Sequence, residues 1–75
     1  MRELAMIPSE LDKLFQVVPI GEENALSASA IRRNLGLWSN NAIRVNLNRL
    51  AENGLIYRKM ISEKRSDVNV YYRHD

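Results

Sequence analysis

A chain of 75 residues with a formal net charge of +2 forms one domain at most and buries only a small core. It has no Cys, which excludes disulfides and thiolate metal sites, and its single His, His74, leaves zinc without a ligand set. Its apolar runs are too short for a membrane-spanning helix. The segment MRELAMIPSE has acids where a secretory signal needs an apolar core, so no targeting segment is expected.

Taken in chain order, residues 1–8 read as an N-terminal extension of a single domain covering 1–75. A first helix is expected over 9–19. Ser9 offers a cap with Asp12 three residues on, and Leu11, Leu14, Phe15 and Val18 follow helical spacing up to Pro19. IGEENA is a polar loop, and Leu26 after it is a candidate short strand. A second helix spans 27–36, capped by Ser27, with Ile31 and Leu35 on one face and Gly36 as its stop. A third spans 39–53, capped by Ser39, with Ile43, Leu47 and Leu50 as its apolar stripe and Gly54 ending it.

After Gly54 the period changes. IYRKMI and VNVYYR are rich in β-branched and aromatic residues, and SEKRSD between them is turn-like, so 55–73 reads as a β-hairpin. Two helices separated by a few residues suggest a helix-turn-helix, and the hairpin behind them makes it a winged helix. The fold class expected is α+β, mainly α, with three helices and a C-terminal wing.

The stretch NAIRVNLNRLAENGLIYRK resembles the recognition helix and first wing strand of bacterial and phage winged helix-turn-helix regulators. The positions that carry the likeness are Ile43, Leu47, Leu50, Gly54, Leu55 and Ile56, followed by the basic pair Arg58 and Lys59. VYYR at Val70 to Arg73 is similar to the second wing strand, notably in regulators of the arsenic-repressor kind. The likeness runs over residues 9 to 73. It implies a DNA-binding transcriptional regulator. Metal sensing does not carry over, because the Cys or His clusters that perform it are absent, and no separate sensor domain is expected. Winged domains for left-handed DNA carry a Pro-rich wing, whereas no Pro follows Pro19 here.

Charge is unevenly placed. Residues 1–30 hold two basic side chains against five acidic ones, and residues 31–75 hold nine against four. A basic half on a small domain suits an anionic partner. On the third helix, at about 100° per residue, Leu47 and Leu50 share the direction of Ile43. Asn41, Val45 and Asn48 fall opposite, with Arg44 and Arg49 on the flanks and Asn40 at the helix start. In helix-turn-helix docking this face enters the major groove. Arg can pair with guanine O6 and N7, Asn with adenine N6 and N7, and Val45 with a thymine methyl. Asn is a poor helix former, so four in one helix (Asn40, Asn41, Asn46 and Asn48) ask for a reason beyond helix formation. A solvated face that happens to favour Asn is the bland alternative.

Supporting contacts are read at Ser27 and Ser29, where a helix start holds phosphate or is simply capped. Arg32 and Arg33 either meet phosphate or keep their face wet. Lys64 and Arg65 at the wing tip reach the DNA backbone or minor groove, against the flanking Glu63 and Asp67. Trp38 and the three tyrosines divide between core or sheet packing and base stacking. Leu4, Met6 and Ile7 could form a partner or dimer surface.

An enzyme is not expected, since no acid–base set, nucleophile with a base or phosphate-cradling glycine loop is present. No cofactor or small-molecule ligand is expected either. The reading is a cytoplasmic, nucleoid-associated, sequence-specific binder of double-stranded DNA acting by operator occupancy, as a homodimer or cooperative assembly. The alternatives are a winged-helix protein-interaction module within a larger assembly and an RNA binder.

Overall fold

A computed structural model describes residues 6–36, 38–63 and 66–74, the side chain of Glu63 excepted. The fold is α+β: three helices and a three-stranded antiparallel sheet.

Helix α1 covers Pro8–Val17. It starts one residue earlier than expected and uses a different cap. Ile7 is the N-cap, Pro8 takes the first helical position, where no donor is needed, and Glu10 Oε1 accepts the Ile7 N–H at 2.9 Å. Ser9 therefore lies exposed within the first turn, and Asp12 accepts from Gln16 Nε2 one turn on, at 3.0 Å. The helix ends at Val17 rather than at Pro19. A residue before proline is driven from helical to extended backbone, and Val18 has ψ 125°.

The loop after Pro19 contains one 3₁₀ turn, Glu22–Asn24, entered through Gly21 at φ +96°. Strand β1, Leu26–Ser27, is the short strand that Leu26 suggested. Helix α2 covers Ala28–Leu35, capped by Ser27 Oγ, which accepts the Ala30 N–H at 3.2 Å. Helix α3 covers Asn40–Glu52, capped by Ser39 Oγ on the Ala42 N–H at 3.1 Å. At its far end Gly54, with φ +79°, donates to Ala51 O at 3.0 Å, and Leu55 donates to Leu50 O at 2.9 Å. That is the Schellman closure, in which a left-handed residue turns the chain back onto the last carbonyls.

Strands β2, Tyr57–Glu63, and β3, Ser66–Tyr72, pair antiparallel from Tyr57↔Tyr72 to Glu63↔Ser66. The ladder runs further into SEKRSD than a turn reading allows. Ser62 and Asp67 are cross-strand partners, and Ser62 Oγ donates to Asp67 Oδ1 at 2.9 Å, so polar side chains here support pairing. Strand order is β1-β3-β2, with Leu26↔Tyr71 and Ser27↔Val70 in register.

The core joins Leu14 and Val18 of α1, Ile31 of α2, Ile43, Leu47 and Leu50 of α3, and Ile56 and Tyr71 of the hairpin. Met6 is buried with them, which removes it from a partner surface; Ile7 stays exposed, and Leu4 lies outside the described residues. Trp38 packs against the core. No helix among the described residues is long and apolar enough to cross a membrane.

Candidate nucleic-acid interface

The outward side of α3 begins with Asn40 and Asn41, both exposed, and continues through Arg44 and Arg49, also exposed. Val45 is half-buried. Arg44 Nη2 donates to Asn41 Oδ1 one turn back. The guanidinium carries no acceptor, so this contact fixes which end of the amide is the oxygen. No acid occurs on α3 before Glu52, its last residue.

Of the four asparagines on this helix, Asn46 belongs to the core. It is fully buried, and its Nδ2 donates to Ala42 O at 2.8 Å. It stands three residues after Ile43, on the apolar side, so its place in the sequence has a packing reason.

Asn48 occupies the junction between α3 and the sheet. Its Oδ1 accepts from Tyr71 Oη at 2.8 Å and from Arg58 Nη1 at 2.9 Å. It is half-buried, and its Nδ2 has no partner among the described residues and is not sealed from solvent. Asn48 therefore differs from the freely solvated side chain that helical spacing suggested. Side chains alternate along a strand, so Arg58 and its register partner Tyr71 share the face of the hairpin turned to α3. Lys59 falls on the other face and pairs with Glu22 at 3.1 Å, away from this surface.

Burial pushes the Tyr71 hydroxyl above its ordinary 10.0, while Arg58, Arg44 and Asn69 pull it back down. The proton stays on Tyr71 at neutral pH, and Tyr71 is a donor toward Asn48.

Beside this junction lies a groove of about 250 Å³ between α2, α3 and β3. Ser27 and Ser29 from the start of α2, Arg44 from α3, and Asp67, Asn69 and Tyr71 from β3 line it. The two serines are thus brought beside Arg44, though the Ser27 hydroxyl already caps α2. Asp67 places a carboxylate on the same wall.

The α2 arginines separate. Arg32 Nε donates to Trp38 O, tying α2 to the turn before α3, so Arg32 serves the geometry of the helix pair. Arg33 is exposed, and its side chain, like that of Arg49, makes no hydrogen bond or ion pair among the described residues. Lys64 and Arg65 lie outside the described residues. Tyr57 and Tyr72 stack at 5.5 Å between ring centroids, with His74 edge-on to Tyr57 at 4.4 Å, on the Lys59 face.

Arg58 and Tyr71 were not among the strongest sequence candidates. A signal for Arg58 was present: it stands two residues after the core residue Ile56, and hence on the same strand face. Tyr71 and Asn48 are 23 residues apart, and nothing local couples them.

No group of three or more His, Cys, Asp or Glu side chains among the described residues could hold a metal ion. Among known proteins, no family model, no curated protein and no solved structure matches this chain.

Proposed function

We propose that this chain is a winged helix-turn-helix domain that binds double-stranded DNA sequence-specifically and regulates transcription by occupying an operator. In this reading α3 enters the major groove, and β2 and β3 form the wing. The observation that carries it is the meeting of α3 and the hairpin at Asn48. It brings Arg58 of the hairpin onto Asn48, beside Arg44 and Asn41 of α3, and the helix contributes no acid until its last residue. A major groove about 12 Å wide admits such a helix. Arg33 adds a phosphate contact from α2, and the groove beside Ser27 and Ser29 receives the backbone. One copy covers a short footprint, so two copies on repeated half-sites supply the specificity of an operator. The setting is the nucleoid.

The test is binding of labelled duplexes across a salt series. Four arginines at phosphates or bases give a log–log salt slope of about −3 to −4. No duplex shifted even at low salt would sink the proposal.

One feature favours the second reading, a protein-interaction module. Pro8, Leu11 and Phe15 of α1 with Leu50 and Leu55 line a shallow apolar depression at the end of α3. Affinity built on such contacts is nearly flat with salt, so the same series separates the two.

A further inference from the structure

The bonding of Asn48 sets which base it can read, and this inference rests on the DNA-binding proposal above. An asparagine that recognises adenine uses both ends of its amide: the oxygen accepts from N6–H and the NH₂ donates to N7. An amide oxygen has two lone pairs. At Asn48 both are engaged, one by Tyr71 Oη at 2.8 Å and one by Arg58 Nη1 at 2.9 Å. Arg58 can only donate, so the Asn48 atom it meets is the amide oxygen. What Asn48 has left is its NH₂, which is not sealed from solvent. Asn41 is biased the same way, since Arg44 holds its oxygen.

We propose that Asn48 is a donor-only reader, held in that state by Arg58 and Tyr71, and that it selects guanine rather than adenine in the major groove. Guanine presents two acceptors there, N7 and O6; adenine presents one acceptor beside a donor, and cytosine presents a donor. The NH₂ finds an acceptor at either N7 or O6 of guanine, whereas the N6–H of adenine meets no free acceptor on Asn48. Arg58 and Tyr71 are positioning residues in this scheme. They act on the base through the amide they orient.

The experiment is selection of bound duplexes from random DNA by the full chain, in parallel for the wild type, Asn48→Asp and Arg58→Ala. Asn48→Asp keeps one oxygen for Tyr71 and Arg58 and turns an acceptor outward in place of the NH₂. The base pair whose preference moves between wild type and Asn48→Asp is the one Asn48 reads. Guanine is expected there for the wild type and cytosine for Asn48→Asp, each favoured by about tenfold. Arg58→Ala frees one lone pair without entering the core, and the same position then moves from guanine toward adenine. Replacing the guanine by 2-aminopurine, which lacks O6, weakens wild-type binding by about tenfold, whereas inosine, which keeps N7 and O6, does not.

Adenine at that position in the wild type overturns the inference while leaving DNA binding intact. So does a base preference that neither variant moves. Absence of any enriched duplex, together with no binding at low salt, fails the functional proposal itself.

Discussion

Tyr71 Oη on β3 and Asn48 Oδ1 on α3 lie 2.8 Å apart, hydrogen-bonded across the seam between sheet and helix. This bond joins a core side chain to the proposed reading face, so stability and recognition share an atom.

Asn48→Ala leaves the buried Tyr71 hydroxyl without this acceptor and is expected to cost about 1–3 kcal/mol. Tyr71→Phe leaves Asn48 still bonded to Arg58 and costs less, about 1 kcal/mol. The double variant falls short of the sum by about 1 kcal/mol, because the two side chains share one interaction. Urea unfolding of the four chains measures the coupling; strict additivity would show that the bond does not contribute.

Stability in alkali follows the same hydroxyl. Its folded value is raised by burial, so the unfolded chain releases the proton first. The stabilisation is therefore complete below about pH 10 and is lost as pH rises from there through the raised folded value. Tyr71→Phe is less stable than wild type at neutral pH, and the gap narrows by about pH 11. Unfolding free energies at the two pH values, with phenolate absorbance followed in parallel, check this.

Gly54 has φ +79°, and nothing lies within 4 Å of where a Cβ would sit. Substitution there is limited by backbone conformation alone. Gly54→Ala is expected to destabilise by about 1 kcal/mol, and Gly54→Asn by less, since Asn tolerates the left-handed region. Thermal melts of the two variants give the order; equal melting temperatures for wild type and Gly54→Ala would contradict it.

The arginines of α2 and α3 are predicted to differ in kind. Under the proposed docking the exposed Arg44 faces the major groove, and Arg44→Ala is expected to remove sequence preference. Arg33→Ala weakens binding to all duplexes alike and lowers the salt slope by about 1. Competition with unrelated duplex at several salt concentrations distinguishes the two; a uniform loss from both variants would remove Arg44 from base reading.

Local chemistry made α2 and α3 legible. Ser27 and Ser39 as caps, with Gly36 and Gly54 as stops, are signals carried within a few residues, and all four act as expected. The start of α1 was less so, because Ser9 and the Ile7–Pro8 pair compete for one helix end, and Glu10 decides for Ile7 by reaching its N–H. The same limit applies to the site. Helical spacing sorts Ile43 from Arg44, but it sees neither Arg58 nor Tyr71 arriving on Asn48 from 10 and 23 residues away. Nor does spacing show Arg32 spent on Trp38 O, or Arg73 donating to Val18 O at 2.8 Å with its guanidinium over the Phe15 ring. The pairings of Asn48 and Arg73 exist only once the sheet has formed.

The strand order has a consequence for how the protein comes into being. β3 is the centre of the sheet and the last strand in the chain, and β1 and β2 touch only through it. A nascent chain that has emerged only as far as β2 therefore holds no two strands that pair with each other. Arg73, just past β3, also donates its N–H to Pro19 O and accepts from Gly21 N–H, so the loop after α1 waits for the same segment. The junction at Asn48 completes together with the sheet, and a ribosome-bound fragment lacking β3 has neither the seam nor the face built on it.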